Sequence, residues 1–312
     1  MNTPFSGPVS IPLSRESRAI QAAPAYDTEE AKKYIPVMPR IRSLIDGLPQ
    51  KDTLACFGPA VPSADALRAV EAEIRRILAD GHKISLLLAD PVTCSGLSFR
   101  SAQPMCTQST VKAIYVGALL SRFPRAFEEN GQYIRDTLVL SSNEAYESLR
   151  EIYGPEPIRS WCRETGVDEA FADLPYPRAY TARDMLKLWT RLYVFLNDGS
   201  DLANAGRYCA DSAMSAAAAC LGSRCPVQTK AGWENGVGDE PEDYEHAVIP
   251  AAYVDGDPLN DECATNDTGI VYTQKGPYLF VLYSDYPCPW TYPNQLLGLT
   301  EALYAVRMSW QS

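Results

Sequence analysis

The chain has 312 residues, 46% of them hydrophobic and 21% charged, so it can bury a full core in one large domain or two lobes and is neither disordered nor collagen-like. Lysine and arginine number 28 against 39 acidic residues, and the resulting charge of −11, with no basic cluster to offset it, excludes a nucleic-acid partner. No apolar run approaches the ~20 residues of a membrane-spanning helix.

Residues 1–60 are rich in Pro, Ser and Ala with little periodicity, and read as an extended arm with a short helix around Glu29 to Tyr34. The polar opening Met1-Asn2-Thr3-Pro4 lacks the charged-then-apolar order of a secretory signal. Two compartments stay open: the cytoplasm, or an extracytoplasmic site if an export signal has been removed. Ser63 is a good N-cap, and Leu67, Val70, Ile74 and Ile77 follow as one apolar helical stripe that Gly81 ends. Ile84 to Leu88 reads as a buried strand closed by Asp90-Pro91, and Gly96 to Phe99 as its hairpin partner.

From Ser109 to about Leu221 the pattern turns helical. Val111, Ile114, Tyr115, Ala118 and Leu119 make one face, and Ala145, Leu149 and Ile152 another. Thr181 opens a helix carrying Met185, Leu188 and Leu192 with a capping-box-like Asp184. Ala213 to Leu221 is a small-residue helix ended by Gly222. Strands return at Val227–Trp233, Gly269–Thr273 and Tyr278–Ser284, the last two joined by a Gln274-Lys275-Gly276-Pro277 turn. An amphipathic helix from Asn294 to about Ser309, with Leu297, Leu303 and Val306 inward, closes the chain. This order predicts an α+β architecture: an antiparallel sheet built from both ends of the chain, flanked by helices, with an all-helical lobe inserted. The expected division is an arm over 1–60, an α/β lobe from 61–104 and 226–312, and a helical lobe over 105–225.

Residue scarcities narrow the chemistry. Only two histidines occur; His82 precedes an apolar strand and His246 lies in an acidic stretch. Neither context suits a catalytic triad or a metal site, so no metal and no cofactor is expected. The nine cysteines contain no CxxC pair, and most read as small buried residues; Cys220 and Cys225 are close enough in sequence to bridge, which spacing alone does not establish. Between 234 and 267 lie eleven acidic residues and no lysine or arginine, either a solvated loop or an acidic lid or cation site.

Three short motifs carry chemistry. Ser109-Thr110-Val111-Lys112 holds the one serine in the chain that stands three residues before a lysine. Positions i and i+3 share a helix face, so an amine whose pKa is lowered by burial can take the Ser109 proton and make it a nucleophile. A capping serine beside a surface lysine is the plainer alternative. Ser141-Ser142-Asn143 opens a helix, either as an ordinary N-cap or with Ser141 passing a proton to a leaving amine and Asn143 holding an amide of the acyl side chain. Thr229-Lys230-Ala231-Gly232-Trp233 lies on a strand, where alternation turns Lys230 and Gly232 to one side. A lysine facing a cleft there attracts a carboxylate and tunes the serine pair, and a glycine lets substrate backbone approach; a strand-edge lysine is the plainer alternative, since a lone Lys-x-Gly is common.

Taken together the three motifs resemble the penicillin-recognising serine hydrolases, the class A β-lactamases and related D,D-peptidases, with their Ser-x-x-Lys, Ser-x-Asn and Lys-Thr-Gly in the same order. The resemblance runs from about Ser63 to the C-terminus and includes Pro104-Met105-Cys106, Tyr180 to Met185 and Asp267 to Val271. It implies a β-lactamase/transpeptidase-like fold with a cleft between the lobes. In it Ser109 attacks, Lys112 is the base, Ser141 relays the proton, Asn143 contacts substrate and Lys230 anchors a carboxylate. The N–H groups of Ser109 and Trp233 form the oxyanion hole, and Ala231 and Gly232 flank the substrate.

Departures from the family pattern are equally specific. Ala231 stands where Thr or Ser is usual, Thr268 where many class A β-lactamases carry Arg, and only 32 residues separate Ser109 from Ser141. The loop expected to hold a Glu-x-x-x-Asn deacylation motif reads Asp168 to Leu174, with Glu169 and Asp173 as the candidate bases. The resemblance thus implies a β-lactamase-like serine acyl-transfer hydrolase for β-lactams or related amides and esters, including peptidoglycan-type peptides. The rivals are a penicillin-binding sensor or inactive relative acylated without turnover, and a serine esterase. The expected partner is a small molecule or peptide, and the expected state a monomer.

Overall fold

The computed structural model describes residues 37–234, 264–287 and 295–310. The helix expected around Glu29 to Tyr34, His246, Cys263, Cys288 and most of the acidic stretch lie outside these residues. Six strands form one antiparallel sheet in the order β1-β3-β2-β6-β5-β4: β1 Ala55–Phe57, β2 Ile84–Ala89, β3 Gly96–Phe99, β4 Val227–Glu234, β5 Ala264–Thr273 and β6 Gly276–Ser284. The two ends of the chain meet where β2 pairs with β6, from Ile84↔Ser284 to Ala89↔Leu279.

The central strands are buried on both faces, which is why they read as unbroken apolar runs rather than alternating ones. Alternation still divides them between two cores. Leu87, Ala89, Leu279, Val281 and Tyr283 face the helical lobe, while Ile84, Leu86, Leu88, Phe280 and Leu282 face α2 (Ala64–Ala79) and α9 (Leu297–Ser309). Ser63 caps α2 through a hydrogen bond from Ala66 N, and Val70, Ile74 and Ile77 are its buried stripe.

Between β3 and β4 the chain builds the helical lobe. Its axis is α3 (Val111–Arg122), whose first ten residues are all buried. Around it stand α4 (Ala126–Val139), α5 (Asn143–Tyr153), α6 (Glu156–Thr165) and α7 (Ala182–Leu196). The capping box at α7 forms as read: Thr181 accepts from Asp184 N and the Asp184 carboxylate accepts from Thr181 N. The small-residue helix α8 (Ala216–Leu221) starts later than its composition suggested, at the Ser215 cap.

Three local expectations change. The supposed extended arm contains α1 (Val37–Asp46) and the edge strand β1; Ile41 and Ile45 repeat at helical spacing and are buried in the lobe core. Ile152 is 55% exposed rather than inward, because α5 ends one residue later at Tyr153 and its buried face stops at Leu149. At the C-terminal helix, Leu299 is buried and Leu297 only partly so. Cys220 and Cys225 are free thiols. Among the described residues no helix is long and apolar enough to cross a membrane.

Candidate active site

The nucleophile candidate sits at a strained corner. Met105 bridges Tyr180, the chain turns through Gln108 at φ +48, and Ser109 lies on a 3₁₀ turn (Gln108–Thr110) leading into α3. Positive φ at a residue with a Cβ is uncommon, and here it aims the turn at the sheet edge. Thr107 fixes the corner by donating its hydroxyl to Pro177 O at 2.7 Å. Lys112 follows on the first turn of α3 and is fully buried.

Ser141 approaches from the other side of the lobe. It adopts φ +60 and is buried, while its neighbour Ser142 takes the capping duty of α5 by accepting from Ala145 N at 3.1 Å. That division of labour frees the Ser141 hydroxyl. Lys112 Nζ donates to Ser141 O at 2.5 Å and to Asn143 Oδ1 at 2.6 Å, and lies 3.4 Å from Ser141 Oγ. Lys230 Nζ, from β4, donates to the same Ser141 Oγ at 2.9 Å and to Ala231 O at 2.9 Å. Two lysines from separate segments therefore meet at one hydroxyl. Ser109 Oγ is not among the hydrogen-bond partners of Lys112 Nζ; the amine is turned toward Ser141 and Asn143.

Burial sets the electrostatics. It lowers Lys112 to about 6, helped by the nearby Lys230 charge and opposed by Glu147. Burial likewise lowers Lys230 to about 7, against the pull of Cys209 and Asp267. Asp267 is itself raised to about 6 by burial, although Ser215 Oγ and Ala217 N donate to it at 2.9 Å each. An amine with a pKa near 6 is largely uncharged at neutral pH and so can accept a proton.

The strand edge completes the constellation. Ala231 N–H meets Ser212 Oγ at 3.3 Å beyond the open edge of β4, while Thr268 on the paired strand donates to Lys230 O at 3.0 Å. Alternation then turns the Trp233 N–H toward the open edge as well. Gly232 lies directly under the nucleophile turn: a methyl built there would stand 2.8 Å from Ser109 N and 2.9 Å from Thr110 N. The room that a glycine provides is occupied by the turn itself, so Gly232 seats Ser109 N–H against the strand.

The loop between α6 and α7 contributes differently from its sequence reading. Glu169 pairs with Arg163 at 2.8 Å and Asp173 with Arg159 at 2.6 Å, both carboxylates on the surface, and Asp168 caps its own 3₁₀ turn. What the loop brings inward is Tyr176, whose hydroxyl donates to Asn143 Oδ1 at 2.8 Å and whose ring lies 5.5 Å from Lys112 Nζ. The Tyr146 ring stands 5.6 Å from the same amine. Sequence reasoning missed both tyrosines; the rigid Pro175-Tyr176-Pro177 run was the available signal for one of them. Asn143 spends its carbonyl oxygen on Lys112 and Tyr176, which leaves its Nδ2 as the group it can offer.

A six-stranded antiparallel sheet with an inserted helical lobe, and a serine–lysine constellation at their seam, define the class: the fold is that of the class A β-lactamases. The chain aligns with a β-lactamase from Desulfarculus baarsii at 15% identity and TM-score 0.54, covering 79% of this chain and 98% of that one. A class A β-lactamase from Mycobacterium abscessus gives 16% and 0.52, over 77% and 97%. A β-lactamase from Streptosporangium roseum gives 14% and 0.52, over 78% and 98%. Residues 129–298 match the family model described as "Beta-lactamase enzyme family", and the chain belongs to that family. No curated protein matches it.

Two predictions follow from this geometry. Gly232→Ala forces the nucleophile turn off the strand; it lowers stability by about 1–3 kcal/mol in urea unfolding and slows modification of Ser109 by about a hundredfold or more. Lys112→Met removes a buried amine whose folded pKa lies below its ordinary 10.5. Between about 6 and 10.5 the unfolded wild-type chain binds the extra proton, so wild-type stability rises with pH across that window. The stability of the variant relative to wild type is therefore expected to fall by roughly 1.4 kcal/mol per pH unit from about pH 7 to about pH 10 in paired urea titrations. A constant difference across that range refutes the lowered pKa.

Proposed function

We propose that this protein is a serine acyl-transfer hydrolase of β-lactamase type, acting on β-lactams or related amides and esters. Ser109 is the nucleophile and neutral Lys112 the base that takes its proton as Oγ bonds to the carbonyl carbon. The oxyanion is held by the N–H groups of Ser109 and Trp233. When the acyl–nitrogen or acyl–oxygen bond breaks, Ser141 gives its proton to the leaving group and regains one from Lys112. Lys230 holds positive charge beside that relay, and Asn143 offers Nδ2 to the acyl side chain. One observation carries this reading: the convergence of the buried Lys112 and Lys230 on Ser141 Oγ at the seam between sheet and lobe.

A second reading, acylation without efficient turnover as in a penicillin-binding sensor, draws support from the loop. Glu169 and Asp173 are committed to surface arginines, and an aromatic ring rather than a carboxylate stands beside Lys112. Without a positioned base to activate water, hydrolysis of the acyl-enzyme is the slow step.

Incubation with nitrocefin is expected to give a one-to-one adduct by intact mass, mapped to Ser109, missing in Ser109→Ala and outlasting the burst of colour. Rapid clearance with steady turnover would favour the efficient enzyme over the sensor; no adduct from any β-lactam or activated ester would reject both. The rate of acylation is expected to rise as pH passes about 6, where Lys112 becomes neutral, and to fall above about 7, where Lys230 loses its proton. Lys230→Met should abolish the alkaline limb, and a profile flat from pH 5 to 9 would exclude Lys112 as the base.

A further inference from the structure

We propose that a cleft between α1, the end of α6 and α7 is a second binding site, built for a small monocarboxylate with an apolar body. It does not depend on the hydrolase reading above. Ile41 and Ile45 bury one side of α1 in the lobe core, which lays that helix across α7 and leaves the cleft beside the contact. Its volume of about 400 Å³ is that of a small-molecule site. Among the described residues, none that the Ser109 site uses lines it.

The polar groups on its walls are unequally spent. Lys187 of α7 is 8% exposed, lines the cleft, and has Asp46 as its one partner among the described residues. An ammonium carries three N–H donors, so Lys187 keeps two in reserve. Arg42 of α1 stands 3.8 Å from the second oxygen of Asp46, too far for a hydrogen bond, so its guanidinium donors are unspent among the described residues. A methyl built on Gly166, at φ +73, would collide with the Arg42 guanidinium; the glycine gives the cation its seat at the end of α6.

The acceptors are engaged elsewhere. Thr165 and Thr190 turn their hydroxyls back onto Trp161 O and Leu186 O at 2.7 and 2.8 Å, and Glu164 accepts from Arg191 at 2.6 Å. Two cations of the cleft therefore share the single, half-exposed carboxylate of Asp46, and the cleft is short of one anion. A carboxylate supplies it: its two oxygens match the planar fork of Arg42 and reach the spare donors of Lys187. Met38, Pro39 and Ile41 line the rest, an apolar surface suited to a hydrocarbon body rather than to a bare inorganic ion. The net charge of −11 opposes every anion at long range, so the expected affinity is modest.

The test is a titration of the full chain, followed by protein-observed NMR, with cyclohexanecarboxylate, its neutral isostere cyclohexanecarboxamide, and inorganic phosphate. Arg42→Gln, a change at an exposed side chain, and Lys187→Met are titrated alongside. The acid is expected to saturate below about 10 mM, to bind about fivefold or more tighter than the amide, and to weaken about fivefold or more in each variant. No saturable binding up to about 10 mM, equal affinity for acid and amide, or undiminished affinity in Arg42→Gln overturns the inference. Should Lys187→Met fail to fold, Arg42→Gln decides alone. Phosphate bound as tightly as the acid also overturns it, since the apolar wall would then contribute nothing.

Discussion

The structure turns on a single hydroxyl held between two buried amines. Ser141 Oγ accepts from Lys230 on the sheet and stands beside Lys112 on the central helix of the lobe, so the two halves of the molecule are joined through charge-capable groups rather than through apolar packing alone. Such a junction costs stability, because each amine is dehydrated well below its ordinary pKa. The apolar run of α3 and the doubly covered central strands supply the rigidity that keeps the amines buried. A softer scaffold would let water in, and both lysines would return to ordinary, fully charged behaviour.

Around that junction the protein keeps the outline of its family and alters the periphery. The tyrosines at 146 and 176 enclose Lys112, with the latter also orienting Asn143. Both rings pack beside the amine, whose burial lowers its pKa. The acidic groups of that loop serve instead to pin it to α6 through arginines.

Much of this was legible in order and spacing. Apolar periodicity located α2, α3 and α7, and turn composition located the β5–β6 hairpin, because burial and backbone geometry act locally there. The three motifs named Ser109, Lys112, Ser141, Asn143 and Lys230 as a group, and the fold brings four of these into direct hydrogen-bond contact. Other features depend on tertiary placement. That Ser142, not Ser141, caps α5 is decided by the positive φ of Ser141, which no propensity signals. The packing of Gly232 against the Ser109 turn joins residues more than a hundred positions apart, and Glu169 on the surface is paired with Arg163 of α6. The helix within the supposed arm is hard to read in sequence because Pro39 sits in its first turn and its buried stripe is as short as Ile41 and Ile45.

Strand order carries a consequence for the history of each molecule. β4, which bears the second lysine, reaches the remainder of the sheet only by way of β5 and then β6, the last strands to leave the ribosome. The helical insertion, with its serines and first lysine, is synthesised long before that bracket exists, and domains acquire structure as they emerge. A nascent chain therefore holds Lys112 and Ser141 without the Lys230 that completes their hydrogen-bonded cluster. The cluster is completed late, when the final strands dock, so a chain cut short near its end lacks the junction between sheet and lobe as well as the strands themselves.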